Sequence, residues 1–166
     1  QSRKNGATIM ENTSVTGFVQ QMKNGVPYIS GVNTTKGLIN TTNVINATGA
    51  WGSQISKLLN LQLPLIPIKH AYIVTDKLNG MKPSFPNVRD HDLSIYLKTQ
   101  GEAMAIGGYE KGPELCPDSN SFQISPYTLY DLNWDTFSQN FEGHMHRCPS
   151  IENVGVQSTV CGPESF

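Results

Sequence analysis

The sequence predicts a mixed α/β (α+β) fold. Short apolar runs alternate in period two and are punctuated by turn pairs such as Asn24-Gly25, Lys36-Gly37 and Gln100-Gly101. The run Asn43-Val44-Ile45-Asn46 reads as a short buried strand that breaks at Gly49 into a helix-like segment, residues 52–61. Residues 133–148 space Trp134, Phe137, Phe141 and Met145 at three and four, the stripe of an amphipathic helix.

Residues 6–19 read as two short strands, the first ending at Ile9, the second carrying Val15, Phe18 and Val19. Asn24-Gly25 suits a hairpin turn into a strand over residues 26–34. Lys36-Gly37 turns again, and Leu38-Ile39 resumes extended chain before the strand at Val44-Ile45. Small residues around Gly49 let backbone come close to a ligand or to another segment. Pro64 and Pro67 can neither continue a helix nor join a central ladder, which places a crossing and a domain boundary near Gln62.

Beyond the crossing, residues 68–75 alternate in period two. Ile68, His70, Tyr72 and Val74 share one face, and Ala71, Ile73 and Thr75 the other. Residues 76–90 are loop-like. Residues 93–99 form a strand with Leu93, Ile95 and Leu97 on one face and Ser94, Tyr96 and Lys98 on the other. Residues 103–109 return as its hairpin partner, with Gly107-Gly108 as a bare patch open to a flat ligand or another backbone. Residues 110–126 read as a polar loop. Asn133 caps the helix, Pro149 ends it, and residues 154–160 form a last strand.

The 166 residues suffice for one domain or for pieces of two. A net charge of -1 with 15% charged residues disfavours nucleic acid or an anionic membrane surface as partner. No apolar run reaches the roughly 18–20 residues of a membrane span. Residues 1–6 carry neither a signal-peptide core nor a transit helix, and both ends read as cut from a longer protein. Cys116, Cys148 and Cys161 lack the spacing of a disulfide framework and read as free thiols. The sequons at Asn12, Asn33, Asn40 and Asn46 reflect a region rich in Asn and Thr rather than glycan acceptors.

Several residues could carry chemistry. His144, His146 and Cys148 suggest a metal, but on a helix residue 146 points roughly 200° from 144. No acidic or cysteine partner stands at ligand spacing, so no metal is expected, and these side chains read as polar groups near a helix C-terminus. Asp90-His91-Asp92 reads as a solvated turn. No nucleophile elbow, phosphate loop or C-x-x-C occurs. His70 and Tyr96 each alternate with apolar neighbours on a strand. A strand histidine is often a hydrogen-bonded structural residue, yet imidazole also suits proton handling near neutral pH. A tyrosine suits the wall of a ligand pocket.

Gly6, Ala7, Ile9, Glu11 and Val15, then Asn46, Ala47, Gly49 and Trp51, resemble the late part of a glutathione-reductase-like FAD-binding fold. The G-x-G-x-x-G turn that opens such folds is absent, which places it upstream. The match becomes specific at Pro86-Asn87-Val88-Arg89-Asp90-His91-Asp92 and at Gly107-Gly108-Tyr109-Glu110. It continues at His70-Ala71-Tyr72-Ile73-Val74-Thr75, at Leu132-Asn133-Trp134-Asp135 with Glu142-Gly143, and through Ser158-Thr159-Val160-Cys161-Gly162-Pro163-Glu164-Ser165-Phe166. Over essentially its whole length the chain resembles the FAD-dependent amine-oxidising family of D-amino acid oxidase and dimethylglycine dehydrogenase.

That resemblance implies a fragment of an FAD-binding domain interleaved with a mixed β-sheet substrate domain. Residues 1–61 would be the C-terminal part of the FAD-binding domain, 62–155 the substrate domain, and 156–166 a return segment. It implies oxidation of a small N-methyl amino acid, sarcosine first and dimethylglycine as the alternative. Electrons would pass to an electron-transfer flavoprotein in the mitochondrial matrix, and tetrahydrofolate could serve the full-length enzyme. By position, His70 and Tyr96 would be catalytic, Arg89 would bind the substrate carboxylate, and Val15, Ala47, Gly49, Trp51, Tyr96 and Gly162 would lie at the cofactor. A different class stays open. The regulatory subunit of pyruvate dehydrogenase phosphatase resembles these enzymes and is a binding partner, not a catalyst.

Overall fold

The computed structural model describes residues 1–117 and 127–165. The polar loop expected over 110–126 thus lies partly outside the described residues, as does Phe166. The chain divides into two compact units, Gln1–Leu65 and Ile66–Phe166. No helix among the described residues is long and apolar enough to cross a membrane.

In the first unit, β1 (Val15–Lys23), β2 (Val26–Thr34) and β3 (Gly37–Asn40) form an antiparallel meander in that spatial order. Asn24 (φ 52) and Gly25 (φ 78) make the β1–β2 turn, both in the left-handed region that a two-residue hairpin needs. The strand expected to end at Ile9 does not form. A 3-10 turn, Arg3–Asn5, stops at Gly6, and residues 7–10 have no ladder partner among the described residues.

The strand expected at Val44-Ile45 is also absent, and Ile45 is 90% exposed. A strand needs a neighbour to hydrogen-bond, and among the described residues none offers its edge. The segment is held by Asn46 instead. Asn46 Nδ2 donates to the Gly52 carbonyl (2.9 Å) and to Ser56 Oγ (3.3 Å), while Oδ1 accepts from Thr48 Oγ1 (2.7 Å). The helix that follows, α1 (Gly52–Lys57), is shorter than the 52–61 expected. Asn60 takes a left-handed φ of 57, and the Leu61 N–H returns to the Ser56 carbonyl while Asn60 N–H returns to Lys57. That pair of bonds is a Schellman close, with asparagine where glycine is commoner.

In the second unit, β4 (Pro67–Thr75), β5 (Val88–Asp90), β6 (Ile95–Gln100), β7 (Ala103–Gly108) and β8 (Val156–Ser165) form a sheet ordered β5-β6-β7-β4-β8. Every described pairing is antiparallel. The β6–β7 hairpin turns at Gly101 (φ 63), as expected from Gln100-Gly101. β5 lies inside the stretch expected to be loop. Asp90 Oδ1 accepts the Leu93 N–H (2.9 Å), and the turn so closed sends residues 88–90 along β6.

The two faces of β4 follow the sequence pattern. Ala71 and Ile73 join Ile95, Leu97, Met104 and Ile106 in the core, while Tyr72 and Val74 pack with Ala103 and Ala105 on the other side. The helical layer covers the core face. The single helix expected over 133–148 is interrupted: α2 (Trp134–Phe137), a 3-10 turn (Ser138–Asn140), then α3 (Phe141–Arg147). Asn133 caps it as expected, its Oδ1 accepting from Thr136 N at 3.2 Å. Phe137 is only 2% exposed and meets Trp134 and Phe141 edge-on, with centroids 6.1 and 5.4 Å apart. Burying such a ring contributes about 1.5–3 kcal/mol. The ends of the stripe stay out: Trp134 is 46% and Met145 37% exposed. The 3-10 turn sets the Asn140 amide against Gly108, in the space that a Cβ there would fill.

Candidate functional site

The face of the second sheet away from the helices collects the sequence-predicted residues. Cross-strand register puts Arg89 beside Tyr96, Tyr96 beside Gly107, and Gly107 beside Tyr72. One step along, His70 stands opposite Gly162, and Ile68 opposite Glu164. Residues directly opposite, and their diagonal neighbours, can touch on one face of a sheet. His70 and Tyr96 do share that face, with ring centroids 6.2 Å apart.

Tyr109 organises the group, and reasoning from the sequence did not single it out. It stacks on His70 (4.9 Å, 24° between planes), and the Arg89 guanidinium lies over its ring at 5.1 Å. Arg89 therefore joins the cluster through an aromatic spacer. His70 Nε2 lies 3.6 Å from Glu164 Oε2, an ion pair whenever the imidazole is protonated. Ile66, Ile68, His70, Tyr109, Glu110 and Leu115 line a cleft of about 350 Å³. Tyr109 closes the strand expected over residues 103–109, so continuing its alternation from Gly107 would have pointed to Tyr109.

The bare patch expected at Gly107-Gly108 is occupied. Alternation along β7 sends the two positions to opposite faces, where the Tyr96 phenol covers Gly107 and the Asn140 amide covers Gly108. Burial, then the neighbouring Tyr109, Glu164, Glu110 and Tyr72, push the Tyr96 phenol up to about 12. It stays protonated at neutral pH and can donate a hydrogen bond. Burial likewise lifts the Glu110 carboxyl above its ordinary range, while its own backbone N–H and then His70 pull the other way.

His144, expected as a polar group near a helix C-terminus, lies in the last turn of α3 but in the core. It is fully buried, and its Nε2 lies 2.8 Å from the Gly107 carbonyl, to which the N–H donates. Burial holds it below the ordinary imidazole value of 6.5. Among the described residues no group of three His, Cys, Asp or Glu side chains is placed to hold a metal. Asp90 of the expected solvated turn is structural. Besides capping Leu93 it accepts from Arg147 Nε at 2.5 Å. The Leu93 N–H, more than Arg147, holds its carboxyl below the usual range.

The remaining candidates lie in the first unit. Val15 opens β1 opposite Thr34. Ala47 is exposed, just before the 3-10 turn Gly49–Trp51. Gly49 has a left-handed φ of 55, and no atom lies within 4 Å of the place where a Cβ would sit. An open backbone in that conformation suits a flat, polar group laid against the chain.

The FAD dependent oxidoreductase (DAO) family matches residues 1–164. The chain belongs to the FAD-dependent oxidoreductase family. Mitochondrial sarcosine dehydrogenase of Mus musculus is 43% identical over 163 residues, 97% of this chain and 17% of its own length. Mitochondrial dimethylglycine dehydrogenase of the same species is 26% identical over 143 residues, 81% of this chain and 16% of its own length. Among solved structures, L-proline dehydrogenase from P.horikoshii superposes with a TM-score of 0.68 at 26% identity, over 98% of this chain and 40% of that one. The chain thus spans about 17% of the length of the sarcosine dehydrogenases it matches. FAD is the cofactor of this oxidoreductase family.

Proposed function

We propose that the full-length protein containing this chain oxidatively demethylates sarcosine to glycine. The clustering of His70 and Tyr96 on one face of the second sheet, joined to Arg89 through Tyr109, carries the reading. The similarity to sarcosine dehydrogenase supports the substrate. FAD, when bound, supplies the acceptor for the hydride that leaves the N-methyl carbon. In the first unit Val15, Ala47, Gly49 and Trp51 would help to hold it, largely through main chain; in the second, Gly162 stands opposite His70.

The chain's own residues prepare the amine. A protonated amine has no lone pair to drive hydride loss, so the ammonium must lose its proton first. His70 takes that proton, and the lone pair stays on nitrogen. The Tyr96 phenol, kept neutral by burial, donates a hydrogen bond and fixes the substrate's orientation. Arg89, held against Tyr109, pairs with the substrate carboxylate. In the same reading, residues 62–155 belong to the substrate domain, while 1–61 and 156–166 belong to the FAD-binding domain. The protein works in the mitochondrial matrix, passes electrons to an electron-transfer flavoprotein, and can hand its one-carbon product to tetrahydrofolate.

The test is anaerobic addition of sarcosine to the full-length flavoprotein. Bleaching of the oxidised flavin bands supports the reading. Bleaching by dimethylglycine alone transfers the substrate to that amine, and a bound flavin that no N-methyl amine reduces points to a non-catalytic binding subunit. His70→Ala is expected to slow reduction about a hundredfold or more, as loss of a general base does. An unchanged rate would remove His70 from the chemistry.

A further inference from the structure

We propose that Glu164 is the positioning residue of this site: its carboxylate pairs with the His70 imidazolium that forms when the amine gives up its proton. The proposal rests on the sarcosine reading above, and three observations place Glu164 in the role. Antiparallel register sets His70 opposite Gly162 and Ile68 opposite Glu164, so Glu164 is the diagonal neighbour of His70 on the same face. Its Oε2 lies 3.6 Å from His70 Nε2, beyond a hydrogen bond but within one side-chain adjustment of making one. Its charge also reaches Tyr96, the second group of the site, which it helps to keep protonated. Glu164 and Glu110 both act on the charge state of Tyr96, and Glu164 is the one whose carboxylate oxygen stands 3.6 Å from the His70 imidazole.

The chemistry follows from that placement. The substrate ammonium enters with a proton that must leave before the methyl carbon can release hydride. The N–H bond of the amine breaks, an N–H bond forms on the imidazole, and the electron pair remains on the amine nitrogen. A positive charge then stands on His70, stacked on Tyr109 and half-buried. The other groups facing it are the Tyr96 phenol and the Glu110 carboxyl, which burial disposes toward its neutral form. Glu164 is 43% exposed and its carboxylate faces His70, which places it to balance the charge. A carboxylate that orients an imidazole and stabilises its cation is a recurring arrangement in proton-transfer sites.

Full-length flavoprotein carrying Glu164→Gln tests this. Anaerobic stopped-flow mixing with sarcosine reads the rate of flavin reduction at saturation and the sarcosine concentration at half-saturation separately. The expected result is a rate lower by about tenfold to a hundredfold, the equivalent of one charged hydrogen bond, with half-saturation little changed. Glu164→Asp recovers part of the loss. Calorimetry of sarcosine binding to the pre-reduced protein, in buffers of different ionisation enthalpy, gives a readout independent of turnover. Wild type keeps the amine's proton on His70, whereas the Gln variant releases it to buffer. A Gln variant with the wild-type rate, or one that loses only affinity, would overturn the role of Glu164 and leave the sarcosine reading standing. A wild-type flavin that sarcosine does not reduce would overturn that reading, and this inference with it.

Discussion

Replacing Gly107 by alanine distinguishes an open strand from one already covered by a ring. Gly107 is not among the positive-φ glycines, so its backbone accepts a side chain. On an uncovered strand the change would stabilise by about 0.4–1 kcal/mol, chiefly by restricting the unfolded chain. Here the new Cβ would stand 2.5 Å from Tyr96 Cζ and 3.0 Å from the Ala71 carbonyl oxygen. That carbonyl belongs to β4, whose ladders on both sides keep it from withdrawing. The phenol ring must therefore turn aside, and overpacking of this kind costs about 1–3 kcal/mol. The expected sign is opposite to that of an open strand. Thermal unfolding of the full-length protein reads the stability, and anaerobic flavin reduction reads the displaced phenol. Combining Gly107→Ala with Tyr96→Ala closes a double-mutant cycle, in which removing the ring should recover about 1 kcal/mol or more. Refutation would be a Gly107→Ala protein more stable than wild type, or strict additivity in the cycle; either would mean that the ring does not lie over Gly107.

Two further outcomes follow from the core. Phe137→Ala removes a ring that is 2% exposed and makes edge contacts with Trp134 and Phe141. It should destabilise by about 3–5 kcal/mol in chemical denaturation, and a loss below about 1 kcal/mol would show that the helical layer does not seal the core there. His144 sets a pH dependence. Its folded-state value is depressed by burial, so below 6.5 the unfolded chain binds a proton that the folded chain refuses. Stability is therefore present above that pH and falls as pH drops below it. Urea midpoints at about pH 7.5 and about pH 5.5 should differ, and less so in His144→Gln. Equal sensitivity in the two proteins would assign the acid loss to other groups.

Much of this fold is written in local chemistry. Asn24-Gly25 marks its hairpin because both residues tolerate the left-handed backbone that turn needs, and Gln100-Gly101 marks the other because Gly101 does. Asn133 announces the start of the helical layer because its side chain can accept the N–H of Thr136. The period-two pattern of residues 68–75 correctly separates Ala71 and Ile73 from His70, and the structure puts the first two in the core. The same rules fail at Val44-Ile45 and near Ile9, where apolar residues are present but, among the described residues, no neighbouring strand completes a ladder. They fail again at residues 138–140, where packing of Asn140 against Gly108 accompanies a tightened turn in the middle of an apparently continuous helix.

The amino-acid order alone determined which residues could do chemistry, which turns the backbone could make and to which family the chain belongs, because those depend on single side chains and their spacing. Only the tertiary structure decided that the Tyr96 ring fills the space over Gly107, that His144 is buried beneath it, and that Tyr109 and Glu164 flank His70. Those neighbours come from β6, α3, the end of β7 and β8, segments far apart along the chain. Pairing register and burial brought them together, and neither is a property of any short stretch of sequence.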